Sequence, residues 1–183
     1  MIPEFLPLLL ALSPTTLLEA PCIRPSRAGT QVQGEVRVCP GRYRISDPAE
    51  RGVIIAAASG TRIDLTGVVL ESGDSVPSRF AGVGIGSRGV DAVTITGGIV
   101  RGYRYGIRIE GGRNHRVTSV ELSGSRRLEV RSTPARPDSA DRLEMLRREV
   151  FEPYGGGVLL LQTFGASITG ITARNAQNGI GLI

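Results

Sequence analysis

The chain has 183 residues, 40% hydrophobic, 4% aromatic and 21% charged, which suits one domain with a real core and argues against disorder. No apolar run reaches the roughly 18 residues of a membrane-spanning helix, so no membrane span is expected. All 22 basic residues are arginine against 17 acids, a net charge of +5, and the lack of lysine excludes Schiff-base chemistry and a P-loop.

Residues 1–20 come first. Phe5-Leu6-Pro7-Leu8-Leu9-Leu10-Ala11-Leu12 has the length of a signal-peptide core, although Glu4 stands where positive charge is usual. The segment is expected to be an export signal or an apolar leader; an apolar segment packed over the end of the fold is the alternative. Residues 21–51 are expected to form an N-terminal cap and lead-in. Cys22 and Cys39 are the only cysteines, 17 residues apart and each beside a proline, as for a disulfide closing a loop. Such a bridge needs an oxidising compartment, so secretion or a periplasmic location is expected. With two cysteines and one histidine, no zinc site is expected.

From residue 52 onward the sequence repeats. Short apolar patterns recur at Val53-Ile54-Ile55, Val83-Gly84-Ile85, Ile107-Arg108-Ile109, Val158-Leu159-Leu160 and Ile180-Gly181-Leu182, each preceded by glycine. A second anchor falls ten residues after each of the first four: Ile63, Val93, Val117 and Ile168. A third follows at Val68, Ile99, Val120 and Ile171. Three short strands per unit with glycine at the corners describe one coil of a parallel β-solenoid. A single coil cannot bury its apolar face, so the coils must stack. Strand alternation predicts Val83, Ile85, Ile107, Ile109, Val158 and Leu160 inward, with Gly84, Arg108, Leu159 and Gly181 outward. Thr94, Thr118 and Thr169 are expected to form an outward ladder. The first anchors step by 30, 24, 51 and 22 residues, and the long step is read as an insertion at about 125–155. Within it Leu143, Leu146 and Val150 share a helical face. The sequence ends within the first strand of a coil, so further coils or another chain are expected over that end.

The repeats at Gly106-Ile107-Arg108-Ile109, Gly157-Val158-Leu159-Leu160 and Asn175-Ala176-Gln177-Asn178-Gly179-Ile180 resemble those of right-handed parallel β-helix proteins, the pectate-lyase-like superfamily. The resemblance covers about residues 52–183. It implies an all-β solenoid of about four to five coils with one loop or helix insertion. It also implies an exported protein that binds or cleaves polysaccharide, including uronate polymers. In such lyases Ca²⁺ on Asp side chains and an arginine neutralise the uronate, so Ca²⁺ enters by this analogy alone. The alternative is a non-enzymatic structural or adhesion module, because fold does not fix function.

Glycoside hydrolysis needs two carboxyl groups roughly 5–9 Å apart, and the repeats show no convincing pair. Glu71 and Arg101 occupy similar coil positions. The substrate-binding candidates are Arg101, Tyr103, Arg104, Arg108, Glu110, His115 and Tyr154. Arginine clamps carboxylates bidentately, and tyrosine stacks on sugar rings. The plainer reading is an Arg/Tyr-covered corner, with His115 an ordinary turn residue. No nucleic-acid motif is present, and no nucleic-acid partner is expected.

Overall fold

A computed structural model of the chain describes residues 21–128, 135 and 154–183. The leader at 1–20 and the helix expected on Leu143, Leu146 and Val150 lie outside the described residues. The described residues are almost entirely parallel β-structure in three sheets, with no helix beyond a single 3₁₀ turn at Pro77–Arg79. None is long and apolar enough to cross a membrane.

The first sheet holds β2 (Thr30–Val32), β5 (Ile54–Ala56), β8 (Val83–Arg88), β11 (Tyr105–Glu110), β13 (Gly156–Leu161) and β15 (Asn178–Leu182). The second holds β1 (Cys22–Ile23), β3 (Glu35–Val38), β6 (Arg62–Asp64), β9 (Thr94–Thr96), β12 (Arg116–Thr118) and β14 (Ser167–Thr169). The third holds β4 (Gly41–Arg44), β7 (Val68–Glu71) and β10 (Ile99–Arg101), and parallel bridges through Glu121 and Thr172 extend it. From β2 onward the chain visits the three sheets in constant rotation, so each turn lies on the one before, as in a β-solenoid. The stacking begins earlier than the expected boundary at residue 52, because β2, β3 and β4 already pair with β5, β6 and β7.

Parallel pairing between turns satisfies the backbone polar groups, and the interior is one apolar column. Ile54, Ile85, Ile107 and Val158 enter it from the first sheet, Ile63, Ile95 and Val117 from the second, and Leu70 and Val100 from the third. Each such side chain contributes about 1.5–3 kcal/mol through burial. Cys22 and Cys39 are bonded, fastening β1 to the residue after β3.

The register corrects several expectations. Ile63, Ile95, Val117 and Ile168 stack, so Ile95 holds the place expected for Val93. The outward ladder is therefore Asp64, Thr96, Thr118 and Thr169, while Thr94 pairs with Arg62 and Arg116. Gly84 faces inward, not outward: a Cβ there would strike Val100 and the Gly106 carbonyl. Val83, expected inward, lies instead in a separate buried cluster with Tyr105, Leu159 and Leu161, outside the main column; Leu159 faces away from the column as expected, but is buried there. The cause is common to all of these. A two-residue strand period reads the same after a slip of two, which leaves Val93 and Ile95 equivalent, and alternation lapses at corners.

Candidate functional site

The third sheet builds a wide, charged groove. Its register places Arg44, Glu71 and Arg101 side by side on three adjacent strands. Alternation sends Tyr43, Leu70 and Val100 toward the column, so their neighbours face out. Arg42, two residues before Arg44, shares that outer face. Three guanidinium groups then close on one carboxylate. Arg101 donates from Nε (3.2 Å) and Nη2 (3.0 Å) to Glu71 Oε2, and Arg42 Nη1 donates to the same oxygen at 3.0 Å. Arg44 donates from Nε and Nη2 to Oε1, both at 3.4 Å.

The Glu71 side chain is 10% exposed, whereas those of Arg101, Arg42 and Arg44 are 45%, 58% and 72% exposed. The carboxylate is the buried hub, and the arginines reach outward from it. Burial pushes the Glu71 carboxyl up, but the hydrogen bonds and charges of Arg101 and Arg42 outweigh it and hold it below the usual carboxylate range.

Beside this hub opens a groove of about 620 Å³, lined in part by Arg44, Arg101, Arg127, Ser75, Phe80 and Asn175. Arg127 stands at the root of the expected insertion, and its backbone N–H donates to Pro77 at 3.2 Å. Its side chain has no ion pair among the described residues. Asp74, also in the groove, accepts the Val76 N–H at 2.9 Å and lies 3.6 Å from Arg79. The Val76 bond, with Arg79, holds the Asp74 carboxyl below its ordinary value. Ser72 donates to the Gly102 carbonyl and fixes the turn beside the groove.

The sequence-predicted candidates are dispersed by the fold. Arg101 lies in this groove. Tyr103 does not face it: the side chain is in the apolar column, its hydroxyl donates to the Ile45 carbonyl at 2.7 Å, and burial pushes its pKa up. Arg104 pairs with Glu50 at 2.8 Å. Arg108 and Glu110 pair at 2.5 Å on the outer face of the first sheet, where Arg88 Nε also reaches Glu110 at 2.7 Å. They line a separate, smaller pocket of about 210 Å³ with Glu50, Arg51 and Ile55. His115 is buried. Its Nε2 lies 3.0 Å from the Gly111 carbonyl and its Nδ1 accepts from the Val93 N–H at 3.4 Å, which assigns the proton to Nε2. Tyr154 is half-buried and lines neither pocket.

Residue types close together in sequence thus do not make one site. Arg101, Arg104 and Arg108 fall on a strand, a corner and another strand of the same turn. The signal for the real groove was the common coil position of Glu71 and Arg101. Arg42 and Arg44 were missed because residues 21–51 read as a cap.

The groove can accept anions. Its two carboxylates are held ionised by their partners and do not suit proton shuttling near neutral pH. Nor do the residues fit Ca²⁺. Among the described residues no three His, Cys, Asp or Glu side chains come together to hold a metal, and Glu71 is already enclosed by arginine. Compared with known proteins, the chain matches no family model, no curated protein and no solved structure.

Proposed function

We propose that this chain is a right-handed β-helix module of the pectate-lyase-like kind, exported from the cell, that binds acidic polysaccharide in the groove beside Glu71. One observation carries the reading: exposed guanidinium groups from separate turns are held in fixed places by a buried carboxylate, beside an open groove. Arginine arranged so matches a carboxylate in geometry and charge and loses little freedom on binding. Export is supported by the leader sequence and the disulfide. Binding is favoured over cleavage because Glu71 and Asp74 are committed to arginine and backbone donors.

The test is binding of polygalacturonate and hyaluronan, with neutral dextran as control, followed by affinity electrophoresis and calorimetry. Acidic polymers should retard the protein and dextran should not. Arg127→Ala should weaken the interaction about tenfold, as for loss of one hydrogen-bonded charge. Equal affinity for dextran, or no loss in Arg127→Ala, would overturn the reading. Release of unsaturated sugar product would overturn the preference for binding over cleavage.

A further inference from the structure

The outer face of the third sheet does not stop at β10. Arg44, Glu71 and Arg101 stand in register on β4, β7 and β10. The parallel bridges Ile99–Glu121 and Glu121–Thr172 carry that pairing into the next two turns. Two residues further along each segment come Arg101, Ser123 and Arg174. Backbone bonds hold the pairing to the corner: the Gly102 N–H donates to the Gly124 carbonyl at 2.9 Å, and the Gly124 N–H to the Arg174 carbonyl at 2.8 Å. The Arg174 N–H also donates to Ser123 Oγ at 3.2 Å. Val120 and Leu122 enter the apolar column, and Ile171 and Ala173 pack against it, so alternation turns Ser123 and Arg174 outward.

Arg44, Glu71, Arg101, Ser123 and Arg174 thus make one row across consecutive turns. Four strand spacings separate its ends, about 19 Å. Arg174 is exposed, and its side chain has no ion pair among the described residues. The groove beside the row crosses the same turns, lined by Gly73, Gly102, Gly124 and Asn175. Glycine at the first three of these places leaves bare backbone where a side chain would narrow the groove. Glu71 is enclosed by Arg42, Arg44 and Arg101, and Asp74 is the other acid of the lining. With Arg127 and Arg174 unpaired beside them, the strip is net positive along its length.

An extended chain of pyranose rings advances by roughly one strand spacing per ring, so about five rings reach from Arg44 to Arg174. We propose that Arg174 is a further ligand-binding residue, and that the site takes an acidic segment of this length laid across the turns. This rests on the acidic-polysaccharide reading above. A three-ring fragment that starts at Arg44 ends at Arg101 and gains from one end of the row only. A longer one engages Arg44, Arg101 and Arg174 together, and the added contact comes without a second loss of translational freedom.

The experiment is calorimetry with galacturonate fragments of three and six rings, with a neutral glucan of six rings as control. The six-ring acid should bind about tenfold more tightly than the three-ring one. Arg174→Ala should weaken the six-ring fragment about tenfold, as for loss of one hydrogen-bonded charge, and leave the three-ring one nearly unchanged. Arg116→Ala removes an exposed arginine from the second sheet and should weaken neither. Far-ultraviolet circular dichroism checks the folding of both variants, and the length dependence of the wild type tests the proposal without them. If acidic fragments bind above the glucan but six rings gain no more over three than their extra registers explain, the five-ring site fails and the acidic-polysaccharide reading stands. Equal losses in folded Arg174→Ala and Arg116→Ala would reduce Arg174 to general surface charge and overturn its part of the proposal. If no acidic fragment binds above the glucan, both readings fail.

Discussion

Two regions of this molecule carry the same device, a glutamate held by arginines of its own and neighbouring strands, and differ in what is left exposed. Around Glu71 the carboxylate is buried and every arginine is at least 45% exposed. Around Glu110 the nearer arginine, Arg108, is itself only 14% exposed, and Arg88 alone reaches well into solvent. The first arrangement presents cations to a wide groove. The second encloses charge on the outer face of a sheet, next to a pocket a third the volume. Motif alone therefore does not distinguish a ligand site from a structural ion pair; the exposure of the cations does. The sharpest check is the pair of variants Arg108→Ala and Arg101→Ala. Breaking a mostly buried pair costs stability, about 3 kcal/mol, at the low end because Arg88 stays with Glu110. Urea denaturation of Arg108→Ala should show that loss while binding of acidic polymer is retained. Arg101→Ala should do the reverse, losing at most about 1 kcal/mol of stability because the pair is partly exposed, but losing affinity. Matching outcomes for the two variants would erase the distinction.

A smaller effect is expected at His115, whose role belongs to neither region. Its ring joins the backbone of Val93 to that of Gly111 inside the turn. His115→Ala leaves a buried N–H and a carbonyl without that partner and should cost about 1–3 kcal/mol. Binding of polymer to the folded fraction should not change. A selective loss of affinity at unchanged stability would restore His115 to the ligand site.

These contrasts show what the sequence could and could not reveal. Stacked parallel strands were legible because apolar residues and glycines recur at coil spacing, and Ile107, Val117, Val158 and Ile168 stack as expected. The register of Val53, Val83 and Val93 was not, since a neighbouring isoleucine one or two residues away fits the column equally well by hydrophobicity. Tyr103 shows a second limit. Its position beside two arginines suggested a stacking platform, but at a corner the chain turns inward, and the ring fills the column while the hydroxyl finds Ile45. The Glu71 hub depends on pairing between residues 27 to 30 apart in sequence, which no local motif encodes. Only knowing that Gly41–Arg44 is a strand of the stack, rather than part of a cap, brings Arg42 and Arg44 to it.

The smallest effect expected is an electrostatic one, and it tests the hub directly. Glu71 has a folded-state pKa below its ordinary value, so its ion pairs favour the folded state above the ordinary carboxylate pKa. That contribution is lost as pH falls through the lowered folded value. Because its arginine partners are 45–72% exposed and screened, each pair adds only a fraction of a kcal/mol, at most about 1. A carbon-13 titration of the Glu71 carboxyl should give a midpoint below that of an unpaired glutamate. In Arg101→Ala the midpoint should rise toward the ordinary value, because the strongest hydrogen-bonding partner is removed while the burial that opposes ionisation remains. A wild-type midpoint at or above the ordinary value would mean that the arginines do not hold the carboxylate in solution. The fixed placement of Arg44 and Arg101 beside the groove would then lose its physical basis.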